Sequence, residues 1–407
     1  MRVLKNLANL EKIIAKKRKR KKQIREQVAR ILKEVKEKGE EVVLKYTQRF
    51  DKVKLKPKEL RVTESEISAA FNELNSQIIS AIKTAIESVY GFHKALLPKP
   101  FLKIKKEDGK ILGIKYVPLR RVGIYVPAGS APLVSSVYMC AIPAQTAGVK
   151  EIVLVSPPTK DKSINPFILA TASLLKIKEI YKIGGAQAIA VLAYGTRTIK
   201  KVDKIIGPGN EYVMEAKKQV FGEVDIDLLA GPSEVLIIAS KNANLDYILS
   251  DLEAQAEHHK GLVMVVTTSK KIANSLRKKK LNGFVVRVRN LEEAVKVANI
   301  IAPEHVEIFT KNPTTLLKKI ENAGAVFLGE NTPVALGDYL AGPSHVLPTH
   351  GTAKFFSGLS VKDFLKEIHF VSYSKKALEK QFPALLEIAS LEGMKKHIES
   401  VEKRLNR

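Results

Sequence analysis

From Val122 to Gly329 the chain alternates short β-branched runs with amphipathic helical stretches, and that rhythm leaves few folds open. The runs are Val122–Val126, Glu151–Val155, Glu179–Ile183, Val202–Ile206, Val235–Ala239, Leu262–Val266, Phe284–Val288, His305–Phe309 and Ala325–Leu328. Helical spacing of apolar residues fills the intervals, as in Ala186–Tyr194, Glu211–Val220, Leu245–Glu257 and Leu291–Ile301. Strands apolar on both faces and separated by helices belong in parallel sheets with helical cover. Nine of them are many for one sheet, so the expected fold is α/β with two doubly wound, incomplete Rossmann-like parallel-sheet domains. Helical N-terminal and C-terminal segments flank them. The rhythm breaks at Leu229–Ser233, where Ala-Gly-Pro-Ser marks the boundary between the two.

Composition narrows the class further. A chain of 407 residues with 45% hydrophobic content can fill two cores. A single cysteine rules out a disulfide framework and points to a reducing compartment. No apolar run approaches the roughly 18–20 residues of a membrane span, and the N-terminus lacks a signal-peptide core, so a cytoplasmic location is expected. The net charge of +27 and the run Lys16–Lys22 invite a nucleic-acid reading. Against it, aromatic residues make up 6% with no Trp, and no nucleic-acid module is present. The run leads into Gln23–Lys38, whose apolar Ile24, Val28, Ile31, Leu32 and Val35 recur at helical spacing, so its lysines are read as a solvated face. Neither a specific nucleic acid nor a membrane is expected as a partner.

Glycine turns follow three of the runs in the first half: Tyr125-Val126-Pro127-Ala128-Gly129-Ser130, Gly184-Gly185-Ala186-Gln187, and Gly207-Pro208-Gly209-Asn210. At the carboxyl ends of parallel strands such turns let a backbone approach phosphate, and helix N-termini there hold it. The G-x-G-x-x-G fingerprint is absent, and a lone glycine turn is more often backbone geometry than cofactor chemistry. Three in one domain favour a nucleotide.

Six of the 8 histidines fall in clusters with acids or amides in the second half. These are Gln255-Ala256-Glu257-His258-His259, Glu304-His305, Gly337-Asp338-Tyr339 followed by Pro343-Ser344-His345 and His350, and Glu392 with His397. Imidazole and carboxylate hold borderline-soft metals and move protons near neutral pH. Gln255 and His258 stand three apart on one helix face, a spacing that suits two ligands of one ion. Alone, each cluster also reads blandly, as an exposed helix end or a turn-shaping Asp. Glu304-His305 offers two proton acceptors of different basicity at the mouth of a strand. Four clusters on separate segments imply one site assembled from distant parts of the chain.

The segment Ile226-Asp227-Leu228-Leu229-Ala230-Gly231-Pro232-Ser233-Glu234-Val235, running on through Asp251–His258, closely resembles the signature block of the histidinol dehydrogenase family. Arg121–Pro132, Gly184–Ala190, Gly207–Asn210, Ala302–His305, Gly337–Pro348 and Glu392–His397 resemble that family's motifs in the same order, as does Gly39–Asp51. The basic run and a compact link between Asn210 and Ser233 depart from the pattern. The resemblance implies a zinc enzyme, one Zn2+ per chain, that oxidises L-histidinol through L-histidinaldehyde to L-histidine with two NAD⁺, the last steps of histidine biosynthesis. It implies Gln255, His258, Asp338 and His397 as zinc ligands and Glu304 and His305 as catalytic proton acceptors. Substrate would touch Ser233, Gln255, His258, His305, Asp338, His345, Glu392 and His397, and NAD would touch Tyr125, Gln187 and Asn210.

The same resemblance implies a homodimer with intertwined tails. Residues 119–233 would form the NAD-binding domain, 1–118 with 234–350 the zinc and substrate domain, and 351–407 a tail swapped across the dimer. Many aldehyde oxidations use a cysteine thioester, but Cys140 sits in an apolar helix, where burial raises a thiol pKa. Two other classes compete: a zinc hydrolase, which has no use for three nucleotide-like turns, and a basic RNA- or membrane-surface binder, which would be indifferent to Glu304 and His305.

Overall fold

The computed structural model describes residues 1–4, 21–107, 109–128, 132–258 and 261–406. Lys16–Arg20 of the basic run, Gly129, Ser130 and His259 lie outside the described residues. The chain divides into two compact units, Met1–Leu96 with Arg120–Asp363, and Leu97–Leu119 with Phe364–Arg407. No helix among the described residues is long and apolar enough to cross a membrane.

The first unit holds two parallel sheets of the same design. One runs in the order Glu179–Lys182, Glu151–Ser156, Arg121–Tyr125, Lys204–Ile206, Asp225–Ile226. The other runs Arg2–Leu4, Gly283–Arg287, Leu262–Thr267, Glu234–Ala239, His305–Phe309, Ala325–Leu328. Arg121–Tyr125 in the first and Glu234–Ala239 in the second lie in the middle, and the order reverses beside them, as in doubly wound sheets. All nine expected strands are present. The central strands Arg121–Tyr125, Glu234–Ala239 and His305–Phe309 are buried along their whole length, which is why apolar residues occupy both of their faces. Arg2–Leu4 and Asp225–Ile226 are edge strands too short for a sequence pattern, created by pairing with Gly283–Arg287 and Lys204–Ile206.

Helices Lys21–Lys38 and Glu40–Phe50 pack on the five-stranded side. Val28, Ile31, Leu32, Val35, Val42 and Val43 share one core with Ile189, Leu192 and Val213. Each such side chain, fully buried, stabilises by about 1.5–3 kcal/mol, so packing rather than helix propensity fixes these two helices.

The second unit is a hairpin, Phe101–Glu107 and Lys110–Pro118, joined antiparallel by Leu365–Tyr373, then helices Lys375–Leu391 and Lys395–Leu405. The stretch after Gly351 reads as helical in sequence, and Leu365 and Ile368 do stand at helical spacing. The structure corrects that locally. All nine residues of Leu365–Tyr373 pair with Lys110–Pro118, and the ladder overrides the local pattern.

One polar constraint sits inside the five-stranded side. Lys217 is fully buried, and its Nζ donates to the Asp227 carboxylate and, at 3.0 Å, to the Gly207 carbonyl. Asp227 Oδ2 accepts from the Gly207 N–H at 2.7 Å. Gly207 has φ +112°, and a Cβ there would stand 2.2 Å from the Tyr125 carbonyl oxygen, so only glycine fits. The pair thus pins the turn Gly207–Asn210 against the end of strand Arg121–Tyr125. Removing one partner of a buried ion pair strands the other. Lys217→Met should therefore destabilise the protein by about 3–5 kcal/mol in urea unfolding. A loss well under that would mean the turn is held by packing instead.

Candidate functional site

Helix Leu291–Ile301 ends at Ala302, which takes a left-handed φ of 51°, and Pro303 prevents its continuation. Glu304 and His305 follow at the amino end of their strand, in register with Val235 at the start of the neighbouring one. Glu304 is 7% exposed; its Oε2 accepts from the Ser233 hydroxyl at 2.6 Å and the Glu234 N–H at 2.9 Å. Burial pushes its carboxyl above the ordinary value, while His305 and these two hydrogen bonds pull the other way. His305, also buried, places Nδ1 3.1 Å from the Glu234 carbonyl. A carbonyl only accepts, so Nδ1 carries the proton and Nε2 is left as a base.

Sequence reasoning passed over Glu234. Its N–H serves Glu304 and its carbonyl serves His305, and its side chain accepts from the His350 N–H at 3.2 Å with His350 Nδ1 3.3 Å from Oε1. A carboxylate opening an otherwise apolar strand was the available signal.

Helix Leu245–Glu257 delivers Gln255 and, as its C-terminal cap, His258. His258 Nε2 stands 3.9 Å from Asp338 Oδ2, which comes from helix Val334–Tyr339. Two ligands of one tetrahedral zinc lie about 3.4 Å apart, so this separation is close to what a shared ion requires. The Gln255 amide is 3% exposed, and neither its oxygen nor its nitrogen has a hydrogen-bond partner. A buried amide left unsatisfied is costly unless something outside the chain completes it. His345 joins the group: Nδ1 donates to the Asp338 carbonyl at 2.9 Å, and Nε2 lies 3.3 Å from the Ser136 hydroxyl on helix Val134–Ala147. Burial first, then its neighbours His305 and His258, hold its imidazole below the ordinary value.

Gln255, His258, Asp338, His345, Ser233, Glu304 and His305 thus all belong to the first unit. Glu392 and His397 belong to the second, at the turn between its two helices, and both are exposed. Among the described residues no three His, Cys, Asp or Glu side chains converge to hold a metal within one chain. The donor set present, one imidazole, one carboxylate and an unsatisfied amide oxygen, fits zinc but leaves it incomplete.

At the carboxyl ends of the five-stranded sheet lies a cavity of about 780 Å³. Tyr125, Gln187 and Asn210, on the three glycine turns, all line it. The Tyr125 hydroxyl accepts from the Gly185 N–H at 3.1 Å, and burial pushes its pKa up to about 12. Gln187 is fully buried with both amide atoms unpartnered. Asn210 caps helix Glu211–Val220 through Oδ1, leaving its NH₂ to donate outward. The opposite wall comes from the N-terminal helices, with Arg30, Arg49 and Asp51; the last two close the family-like segment Gly39–Asp51, but the sequence assigned none of the three a place in a site. Cys140 is fully buried in helix Val134–Ala147 and its thiol is pushed up by burial, so no thiolate is offered to a substrate.

Comparison with known proteins identifies the family. The histidinol dehydrogenase family model matches residues 14–405. A histidinol dehydrogenase of Clostridium acetobutylicum is 44% identical over 393 residues, covering 92% of this chain and 90% of that protein. One from Methanocaldococcus jannaschii is 43% identical over 412 residues, covering 97% and 96%. The crystal structure of the histidinol dehydrogenase from Elizabethkingia anophelis matches with a TM-score of 0.87 at 35% identity, covering 100% of this chain and 94% of that one.

Proposed function

The chain belongs to the histidinol dehydrogenase family, and on that footing we propose that it is a zinc- and NAD-dependent oxidoreductase acting on L-histidinol. It carries out two successive oxidations, to L-histidinaldehyde and then L-histidine, at the end of histidine biosynthesis in the cytoplasm. The observation that carries the reading is the Glu304–His305 pair seated on Glu234, in the same unit as the unsatisfied Gln255 amide and the His258–Asp338 pair.

Gln255, His258 and Asp338 would hold zinc, with the partner's His397 completing the set. Bound there, the ion would supply a Lewis-acidic template that orients the substrate beside Glu304 and His305. NAD⁺ supplies the hydride acceptor for both oxidations. His305 Nε2 takes the hydroxyl proton as the alcohol becomes an aldehyde, since its Nδ1 proton is committed to Glu234. Glu304 takes a proton from the water that adds to the aldehyde. Its raised pKa makes it a stronger base than an exposed carboxylate, and the Ser233 and Glu234 hydrogen bonds aim it. His305 then removes the proton of the hydrate in the second oxidation. Ser233 and His345 border the substrate from one chain, and Glu392 from the partner's tail.

The tail proposal has support in its surface. Leu391 is 88% exposed and Met394 45%, flanking Glu392 and preceding His397, and apolar side chains so placed are normally covered by a partner. The proposed assembly is a homodimer with swapped tails.

Three outcomes follow. His258→Asn should lower bound zinc, measured by metal analysis of the purified protein, by at least about 10–100-fold in affinity; one zinc retained per chain with full turnover would show the ligand set to be wrong. Glu304→Gln should slow oxidation of histidinaldehyde by about 10²–10⁴-fold while sparing that of histidinol, and His305→Asn should slow both. In the wild type the aldehyde step should weaken as pH falls, because the base must be deprotonated, with its midpoint above the usual carboxylate range; equal losses on both substrates in Glu304→Gln would sink the division of labour. Refolding His305→Asn and His397→Asn chains together should restore roughly a quarter of wild-type activity if tails act in trans. No recovery from demonstrably mixed dimers would exclude the swap.

A further inference from the structure

The cavity at the carboxyl ends of the five-stranded sheet contains a carboxylate that works against the fold. Asp51 caps the C-terminus of helix Glu40–Phe50, with its N–H donating to the Thr47 carbonyl at 2.9 Å. That is the negative end of the helix, where a carboxylate is disfavoured. Its Oδ2 is buried and has no hydrogen-bond partner. Burial pushes its pKa up to about 6. The next residue, Lys52, is held at φ +61°, so the chain leaves the helix through a conformation that non-glycine residues avoid. Several local rules are broken at one place, which is where function is to be sought.

Asp51 is the only acidic residue among the described residues that line the cavity. Facing the same space is Gln187, fully buried with both amide atoms unsatisfied. Two cations, Arg30 and Arg49, line it too, with Arg49 lying over the Phe50 ring at 5.5 Å. Phe50 stacks on Tyr46 at 5.4 Å, and Phe50, Tyr212, Pro127 and Pro158 add apolar surface. Cations for phosphate, flat apolar surface for a base, and one carboxylate for vicinal hydroxyls make up a nucleotide site. None of Ser233, Gln255, His258, Glu304, His305, Asp338 or His345 lines this cavity. The half of the ligand it holds is therefore the half away from the reacting carbon.

We infer that Asp51 reads the adenosine ribose of the dinucleotide, accepting its vicinal hydroxyls and excluding a 2′-phosphate. This rests on the NAD reading above and assigns a specificity residue to it. The carboxylate supplies what the neutral Gln187 and Asn210 cannot, a charge that repels a phosphorylated ribose, and it stays ready because no group of the protein satisfies Oδ2.

The test uses the full-length protein and two probes, NAD⁺ and NADP⁺, with binding measured by titration calorimetry and apo stability by thermal unfolding at pH 8. Asp51→Asn should weaken NAD⁺ binding about tenfold or more, through loss of charged hydrogen bonds. It should tighten NADP⁺ binding, through loss of repulsion. The apo variant should unfold about 2–4 °C higher, because an unpaired buried charge is gone. Asp51→Glu, which keeps the charge, should retain the bias against NADP⁺. Unchanged NAD⁺ affinity in Asp51→Asn, or equal weakening for both dinucleotides, overturns the assignment. A lower unfolding temperature overturns it as well, because Asp51 would then be a structural support. Wild type that binds NAD⁺ while Asp51→Asn behaves identically sinks this inference alone; wild type that does not bind NAD⁺ sinks the cofactor reading and this inference with it.

Discussion

The chemistry of this protein hangs on the main chain of one residue. Glu234 gives its N–H to Glu304 and its carbonyl to His305, and both bonds exist only because strand His305–Phe309 pairs in register with Glu234–Ala239. A slip of one residue would turn both side chains to the opposite face of the sheet. Register here is fixed by burial: Val235, Ile237, Val306 and Ile308 have no exposed face to offer. The apolar sheet thus acts as the ruler that sets two proton acceptors side by side. The His350–Glu234 contact then holds the residue that holds them.

The two parallel sheets use opposite ends. In the five-stranded sheet the cavity opens at the carboxyl ends, beside Tyr125 and the turn Gly207–Asn210, where the strand order reverses and ligands of doubly wound sheets are usually found. In the six-stranded sheet Glu304, His305 and Ser233 cluster at the amino ends of the strands, again where the order reverses. The Ser136–His345 contact ties helix Val134–Ala147, which follows the central strand of the first sheet, to the proton-transfer cluster built on the second. The cavity and the Glu304–His305 cluster are therefore built on different sheets.

Unsatisfied groups mark the functional regions in both. The Gln255 amide, the Gln187 amide and Asp51 Oδ2 are buried and unpartnered, whereas the buried Lys217 and Asp227 are tied to each other and to Gly207. Each is an energetic liability unless a partner from outside the chain completes it. Stability is held elsewhere, in apolar sheets and in the N-terminal helices packed on Ile189 and Leu192.

By itself the sequence determined the strands and the helices between them, and it drew attention to Glu304, His305 and the other clustered polar side chains. Val122–Val126 or Leu262–Val266 can be read because a strand buried on both faces must be apolar at every position, and Glu304-His305 because such a pair is rarely spent at random. It did not reveal Leu365–Tyr373, Arg2–Leu4 or Asp225–Ile226, whose strand state comes from a partner distant in the chain. Nor did it reveal Glu234, whose part is played mainly by its backbone, or Asp51, Arg30 and Arg49, which share a cavity with Tyr125 only because two helices fold over the sheet. Local pattern records what each residue must avoid or seek, burial above all. Which distant residues then meet is decided by packing and register, and those exist only in the folded chain.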